Sequence, residues 1–459
     1  MNRVYTIWIL LSISLLSCSE DTYTYTPLDF PDDSEEPPGS GDSLITDEAL
    51  LDLAQRETFR YFWEFAETHS GAARERYHMD DPAFDAHTVA TGGSGFGLMA
   101  ILVGIERNFI SRAEGVDRLG KILDFFENAD RFHGAWPHWL EGATGNTRPF
   151  SSLDDGGDLV ETAFLAQGLI CVQEYFKDGS TDEQALSAQA ADLWKGIEWN
   201  WYTRQQKVLY WHWSPNHGFA INLPLRGYNE TLIAYVLAAA SPGFGIDREV
   251  YTEGWASSGG IQASNLQYGI PLVLKHSGAE QFGGPLFWAH YSYLGLDPRN
   301  LRDAYADYWE VHTNHAKINY QYCLENPKGY NGYGPNNWGL TASYSRNTDG
   351  TLGYNAHQPN NDTGVISPTA ALSSMPYTPE ESLRALRYFY ANQSELLGPA
   401  GFYDAFSPEY DFWVAKAYLA IDQGPIIAMI ENYRTQMLWD LFMQNEAVKD
   451  GLDTLGFTY

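Results

Sequence analysis

The stretch Phe150 to Leu169, FSSLDDGGDLVETAFLAQGL, sets four acids and two adjacent glycines at the mouth of an otherwise apolar helix. If helix runs through them, Asp154, Asp158 and Glu161 fall at i, i+4 and i+7, within about 40° of one another on one face. Clustered carboxylates raise one another's pKa, so one can stay protonated as an acid while its neighbour stays ionised as a base. Capping a helix N-terminus would occupy one or two of Asp154, Asp155 and Asp158. Glu161 lies further in, beside Val160 and Phe164, where a carboxylate needs a partner or a chemical task.

Two further acids stand in comparable settings. Glu230 follows Gly227-Tyr228-Asn229 at the start of an apolar helix, with Arg226 just before it; on that stretch alone it reads as an ordinary first-turn acid. Asp404 lies in GPAGFYDAFSPEYDFW, a glycine- and aromatic-flanked loop that suits either a turn or a catalytic carboxylate. Aromatic and amide clusters accompany these acids: Trp136-Pro137-His138-Trp139, Tyr210 to Trp213, and Tyr330 to Gly339 with Tyr333 and Trp338. Such mixtures hold neutral sugars, because ring faces stack on aromatics while hydroxyls pair with groups such as Arg226 and Asn229. The chain has 15 Trp, 30 Tyr and 23 Phe, more than a core usually requires, although a large aromatic core is the simpler explanation.

Other chemistries find little support. A formal net charge of −31 repels phosphate backbones and anionic lipid headgroups, which excludes nucleic acid as a natural partner. The run Thr91 to Gly97 is glycine-rich but lacks the lysine of a phosphate-binding loop, so close helix packing is its expected role. Ser94 lacks a full nucleophile-elbow pattern. His133 and His138 have no zinc-ligand spacing around them, and no metal or organic cofactor is expected.

These residues must be positioned by surrounding elements. Residues 1–17 read as an export signal, and Leu15-Leu16-Ser17-Cys18 resembles a bacterial lipobox whose Cys18 would be lipidated. Residues 18–45, rich in Pro, acid, Gly and Ser, read as a tether, and 46–459 as one folded domain. The expected setting is the outer membrane of a Gram-negative bacterium, on its periplasmic or outer face, with membrane contact only through the lipid and the protein a monomer. Cys171 and Cys323 give no disulfide framework.

Helical patterns recur over roughly 47–68, 89–109, 157–177, 229–240, 285–295, 300–324, 366–374, 379–393, 408–421 and 425–445. Capping boxes open two more, at Ser111 to Glu114 and at Thr181 to Gln184. A short strand pair is expected within Val208 to Trp213. The intervening segments 128–156, 201–228, 242–284 and 325–365 are long and rich in Gly, Asn, Trp and Tyr, which marks functional loops. About a dozen helices with such loops fit an all-α (α/α)6 toroid with a cleft at one end.

The runs Ser152 to Phe164, Gly227 to Glu230, Trp338 to Ser343, Ser367 to Ala371 and Gly401 to Phe406 together resemble the glycoamylase-like domain. More narrowly they resemble glycoside hydrolase family 144, the bacterial β-1,2-glucanases, in the same order over about residues 46–450. The resemblance implies the (α/α)6 toroid and inverting hydrolysis of β-1,2-glucan to sophorose or sophorooligosaccharides. It implies that Asp154, Asp158 and Glu161 are needed for activity and that Glu230 is the general acid. The resemblance leaves the base open among Asp154, Asp158 and Asp404; the mechanism expected here has Glu230 protonate the glycosidic oxygen while a carboxylate of the Asp154–Asp158–Glu161 group activates water on the opposite sugar face. A hydrolase of another glucan linkage, a non-catalytic surface glycan-binding lipoprotein and a polysaccharide lyase are the competing expectations.

Overall fold

Apolar character decides which helices line the centre and which face solvent. A computed structural model describes residues 45–459; the expected export signal, Cys18 and all but the last residue of the expected tether lie outside the described residues. Helix α1 (Asp47–Trp63) is followed by α2 (Thr91–Glu106), buried on every side from Thr91 to Ile105. Helices α3 (Arg112–Asn128) and α5 (Thr181–Lys195) each bury one stripe, whereas α4 (Leu159–Phe176) between them is almost wholly buried. The alternation continues through buried α6 (Leu232–Ala240), a π-turn at Val250–Trp255, a buried 3₁₀ segment from Leu286 to Tyr293, and α7 (Tyr308–Glu325). It ends with buried α8 (Pro368–Leu372), one-faced α9 (Pro379–Ala391), the single turns α10 (Gln393–Leu396) and α11 (Glu409–Phe412), and buried α12 (Ala420–Arg434).

An all-round apolar helix must be covered on all sides, and a one-sided helix can serve as the cover. The buried set, α2, α4, α6, the 3₁₀ segment, α8 and α12, forms the inner ring, which closes where α12 packs on α2. The outer positions are α1, α3, α5, the π-turn, α7 and α9. This is the expected (α/α)6 arrangement, with two-stranded ribbons and one three-stranded sheet in the loops and no closed sheet among the described residues. Two further helices, α13 (Met437–Met443) and α14 (Glu446–Leu455), pack on α4 and α6. Among the described residues no helix is long and apolar enough to cross a membrane.

The glycine-rich run does serve close packing. A Cβ on Gly95 would lie 2.2 Å from the Phe164 carbonyl oxygen, and one on Gly168 would lie 2.2 Å from that of Gly95, so α2 and α4 approach backbone to backbone. Cys171 and Cys323 are buried free thiols.

Several expected elements differ. Residues 285–295 form 3₁₀ turns rather than an α-helix, interrupted at His290, whose φ of −111° departs from helical geometry. Residues 408–421 are not one helix: Tyr410 and Asp411 adopt left-handed φ of 55° and 56°, and Trp413–Ala415 and Ala417–Leu419 are strands. The segment WVAKAYL carries the aromatic and β-branched residues that favour strands. The helix expected from 300 begins at Tyr308, capped by Asp307, and 425–445 is split where Gln436 turns left-handed. The second capping box starts one residue earlier than expected, with Ser180 and Glu183. His212–Trp213 does not pair within its own run but with Gly157–Asp158.

Candidate active site

Each inner helix is followed by an outer helix that returns the chain, so the inner N-termini gather at one end of the ring. Gly92 lies in the first turn of α2, Glu161 in that of α4 and Asp422 in that of α12, with Glu230 just before α6. Partial positive charge at helix N-termini favours anionic side chains there. The contacts confirm the gathering: the Gly92 N–H donates to Glu161 Oε2 (2.7 Å), Thr369 of α8 bonds the Asp422 carbonyl (2.8 Å), and the Tyr291 hydroxyl reaches Asp422 Oδ1 (3.3 Å).

Asp154, Asp158 and Glu161 do converge, but not as one helix face. Helix α4 starts only at Leu159, with Asp158 as its N-cap: Asp158 Oδ1 accepts from the N–H groups of Val160 (2.9 Å) and Glu161 (3.0 Å). Asp158 is placed by the short ribbon with His212–Trp213 and by its own N–H donating to the Trp136 carbonyl (2.9 Å). Asp154 precedes this ribbon in a turn, with Oδ1 3.1 Å from His212 Nε2.

The focus of the three acids is His138. Its Nδ1 lies 2.9 Å from Asp158 Oδ2 and 3.8 Å from Asp154 Oδ2, and its Nε2 lies 4.0 Å from Glu161 Oε1. Burial opposes charge on the ring, yet the surrounding carboxylates prevail, Glu161 first, and push His138 up to about 9. At neutral pH it is an imidazolium among carboxylates. Burial, tempered by His138 and reinforced by Asp158, raises Glu161 to about 7. The His138 ring stacks on Phe150 (4.2 Å between centroids), which is exposed, and Trp139 meets both rings edge-on.

Glu230 is only half-buried, yet it is so closely ringed by protein that desolvation pushes it up to about 7, with the Asp158 charge adding to the rise. Glu230 thus keeps contact with solvent while most of its surroundings are protein. Its carbonyl accepts from Ser292, and its loop is held by Tyr228, whose hydroxyl lies 3.0 Å from His312 Nδ1 and 3.2 Å from His315 Nδ1.

A second carboxylate pair lies at the α12 end. Asp404 and Asp422 are both buried and electrostatically linked; burial raises both, Asp404 to about 6 and Asp422 well above the usual range. Two desolvated carboxyls in contact share one proton. The Tyr344 N–H donates to Asp404 Oδ2 (2.6 Å), while Asp404 Oδ1 and Asp422 Oδ2 meet no donor. Tyr354, 60% exposed, stands near the pair on the ribbon of Ala342–Arg346 and Leu352–Ala356.

The chain that gathers these desolvated acids beside exposed aromatic rings is similar to a solved relative over nearly the whole of that relative's length. The endo-β-1,2-glucanase from Chitinophaga pinensis, solved with sophorotriose and glucose, is 56% identical, with 91% of this chain and 99% of that chain covered at a TM-score of 0.88. The chain belongs to the glycoamylase-like family, glycoside hydrolase family 144. The family model Glycoamylase, described as "Putative glucoamylase", matches residues 222–446, the half that holds Glu230, Asp404 and Asp422. An exo β-1,2-glucooligosaccharide sophorohydrolase (non-reducing end) of Parabacteroides distasonis is 45% identical over 434 residues, 90% of this chain. The chain spans only 58% of that relative's length. A β-1,2-glucanase structure from the same organism is 44% identical at a TM-score of 0.84, covering 90% of this chain and 60% of that one.

Within this chain, the expected sugar contacts divide. Trp139 and Trp213 are partly exposed near the acids, Trp139 against His138 and Trp213 on the ribbon with Gly157. Trp136 and Trp338 are fully buried, their indole N–H groups donating to the carbonyls of Phe126 and Glu381, so neither offers a ring face to a ligand. Tyr210 is buried with its hydroxyl on Gln206, and the Tyr333 hydroxyl is bound to Asp362. Asn229 spends its side chain on a local turn, accepting from Thr231 and donating to the Arg226 carbonyl, while Arg226 bonds the carbonyls of Glu253 and Gly254. Trp136 and Trp338 are thereby removed from the expected sugar contacts, and the bonds of Tyr210, Tyr333, Asn229 and Arg226 show aromatic and polar residues in these loops holding the loops together. His138, Phe150 and Asp422 were missed. His138 stood within a quoted cluster, and Asp422 in the first turn of a buried helix, where an acid looks ordinary.

Proposed function

We propose that this chain hydrolyses β-1,2-glucan with inversion, releasing sophorose or short sophorooligosaccharides. The observation that carries the reading is Glu230, in contact with solvent and held protonated near neutrality by desolvation and the Asp158 charge. The β-1,2 linkage is supported by the relatives described above, among them the Chitinophaga pinensis enzyme, 99% of which is covered.

In this mechanism the Glu230 carboxyl gives its proton to the glycosidic oxygen as the bond to the anomeric carbon breaks. A water on the opposite sugar face attacks that carbon and yields its proton to the Asp404–Asp422 pair. The pair is favoured as base over Asp158, whose oxygens are committed to the α4 N-terminus and His138, because burial raises Asp404 to about 6 and Asp422 further and so gives the pair proton affinity near neutrality. The Asp154–Asp158–Glu161–His138 group then acts on Glu230 through the field of Asp158 and shapes the cleft wall beside Phe150 and Trp139. Attachment through a lipid on Cys18, at the outer membrane, is proposed on the lipobox pattern alone.

The test is incubation with linear β-1,2-glucan, β-1,3-glucan and β-1,4-glucan, with reducing ends followed over time. Release from the β-1,2 polymer alone is expected, as a ladder for endo action or as sophorose for exo action. Release from another linkage, or binding without release, would contradict the proposal.

A further inference from the structure

The connector between α1 and α2 carries a group of side chains that carbohydrate cleavage does not use. Glu67 and His69 follow α1, and His87 immediately precedes the strand Thr88–Ala90. Glu67 is buried, and its Oε2 accepts from the N–H groups of His69 (3.0 Å) and Ser70 (2.7 Å) and from the Ser70 hydroxyl (2.7 Å). Gly142 backs the carboxylate: a Cβ there would come within 2.3 Å of Glu67 Cδ and Oε2. The Gly142 N–H in turn donates to the His87 carbonyl (2.8 Å). The carboxylate is therefore fixed by bonds that involve neither imidazole.

Its other oxygen, Oε1, faces outward to both rings, 2.9 Å from His69 Nδ1 and 3.1 Å from His87 Nδ1. Both rings are about half-exposed, and their centroids are 5.1 Å apart. The three donor atoms lie within 4.8 Å of one another. Around zinc with bonds of about 2.0–2.1 Å, tetrahedral ligand atoms stand about 3.3 Å apart, close to the two imidazole–carboxylate separations. Two imidazole nitrogens and one carboxylate oxygen suit zinc and its transition-metal neighbours rather than calcium or magnesium. Solvent on the exposed side supplies a fourth position, and the Ser70 donors orient the ligating carboxylate from behind.

We propose that Glu67, His69 and His87 form a structural binding site for a zinc-class divalent ion. The ion clamps the start of the connector to its end. That end runs into Thr88–Ala90, which pairs with Trp139–Glu141 directly after His138, so the clamp steadies one wall of the cleft without touching substrate.

The experiment uses the full chain stripped with chelator and dialysed, titrated with zinc chloride by calorimetry and by thermal melting. One zinc per chain and a melting temperature raised by several degrees are expected. His69→Gln and His87→Gln should each weaken binding by about tenfold or more. His138→Gln, which alters the other His–Asp grouping, should leave zinc affinity unchanged. Because a variant could fail to fold, zinc protection of His69 and His87 against diethyl pyrocarbonate is mapped by mass spectrometry in the unaltered chain. Absence of binding, affinity that survives both variants, or rings that zinc leaves unprotected would each overturn the proposal.

Discussion

Glu161 and Gly92 meet across two inner helices: the Gly92 N–H holds Glu161 Oε2 at 2.7 Å, and a Cβ on residue 92 would lie 2.6 Å from that same oxygen. The contact ties the glycine-rich start of α2 to the acid in the first turn of α4. Gly92→Ala is expected to displace the carboxylate, costing about 1–3 kcal/mol in stability by overpacking and about 10- to 100-fold in kcat through lost positioning. Chemical denaturation and initial rates measure the two effects. Unchanged kcat in a destabilised variant would mean that Glu161 is structural only.

The pH–rate profile follows from two raised carboxyls. Glu230 must be protonated to act as acid, so activity should fall as pH rises through about 7. The Asp404–Asp422 pair must be able to accept a proton, so activity should also fall as pH drops through about 6. A bell in kcat/KM centred between these values is expected, read from initial rates across pH 4 to 9. A flat alkaline limb would contradict the role of Glu230.

Acid stability follows from the histidines behind the Glu230 loop. Burial, with neighbouring imidazoles adding, pushes His276 and His312 well below the usual range and His290 down to about 3. Burial also lowers His315 to about 4, against the Gly284 carbonyl. Neutral in the folded protein, these rings take up protons on unfolding below about pH 6.5. The stability they contribute is complete above that pH and is lost as pH falls towards the folded values. The raised carboxyls of Glu161, Glu230, Asp404 and Asp422 hold protons in the fold over the same range and offset this loss, so the melting temperature should fall more steeply from pH 7 to 5 in Glu230→Gln, which lacks one offsetting carboxyl, than in the unaltered protein; equal slopes would contradict this.

Much of the scaffold is legible in the sequence because inner helices announce themselves locally. LVETAFLAQGL and LIAYVLAAA are apolar on all sides, and the glycines of TGGSGFG permit the close approach of α2 and α4. What escapes local reading is partnership between distant residues. His138 becomes an imidazolium only because the ribbon of Gly157–Asp158 with His212–Trp213 and the cap of α4 bring the three acids around it. Asp422 gains its high proton affinity from burial and from Asp404, which a loop delivers from elsewhere. Composition likewise does not separate Trp136 and Trp338, which build the core, from Trp139, which stays partly open beside the acids. The strands at 413–419 fail as a helix because left-handed Tyr410 and Asp411 interrupt it.

The most direct test of the central claim is Glu230→Gln with linear β-1,2-glucan, the initial anomer of the product being followed by proton NMR in the unaltered enzyme. The account predicts kcat lowered by about 10²–10⁴-fold with KM little changed and the fold intact, and α-anomeric reducing ends appearing first from the unaltered enzyme. Near-normal turnover by the folded variant, or β-anomers as first products, would contradict it.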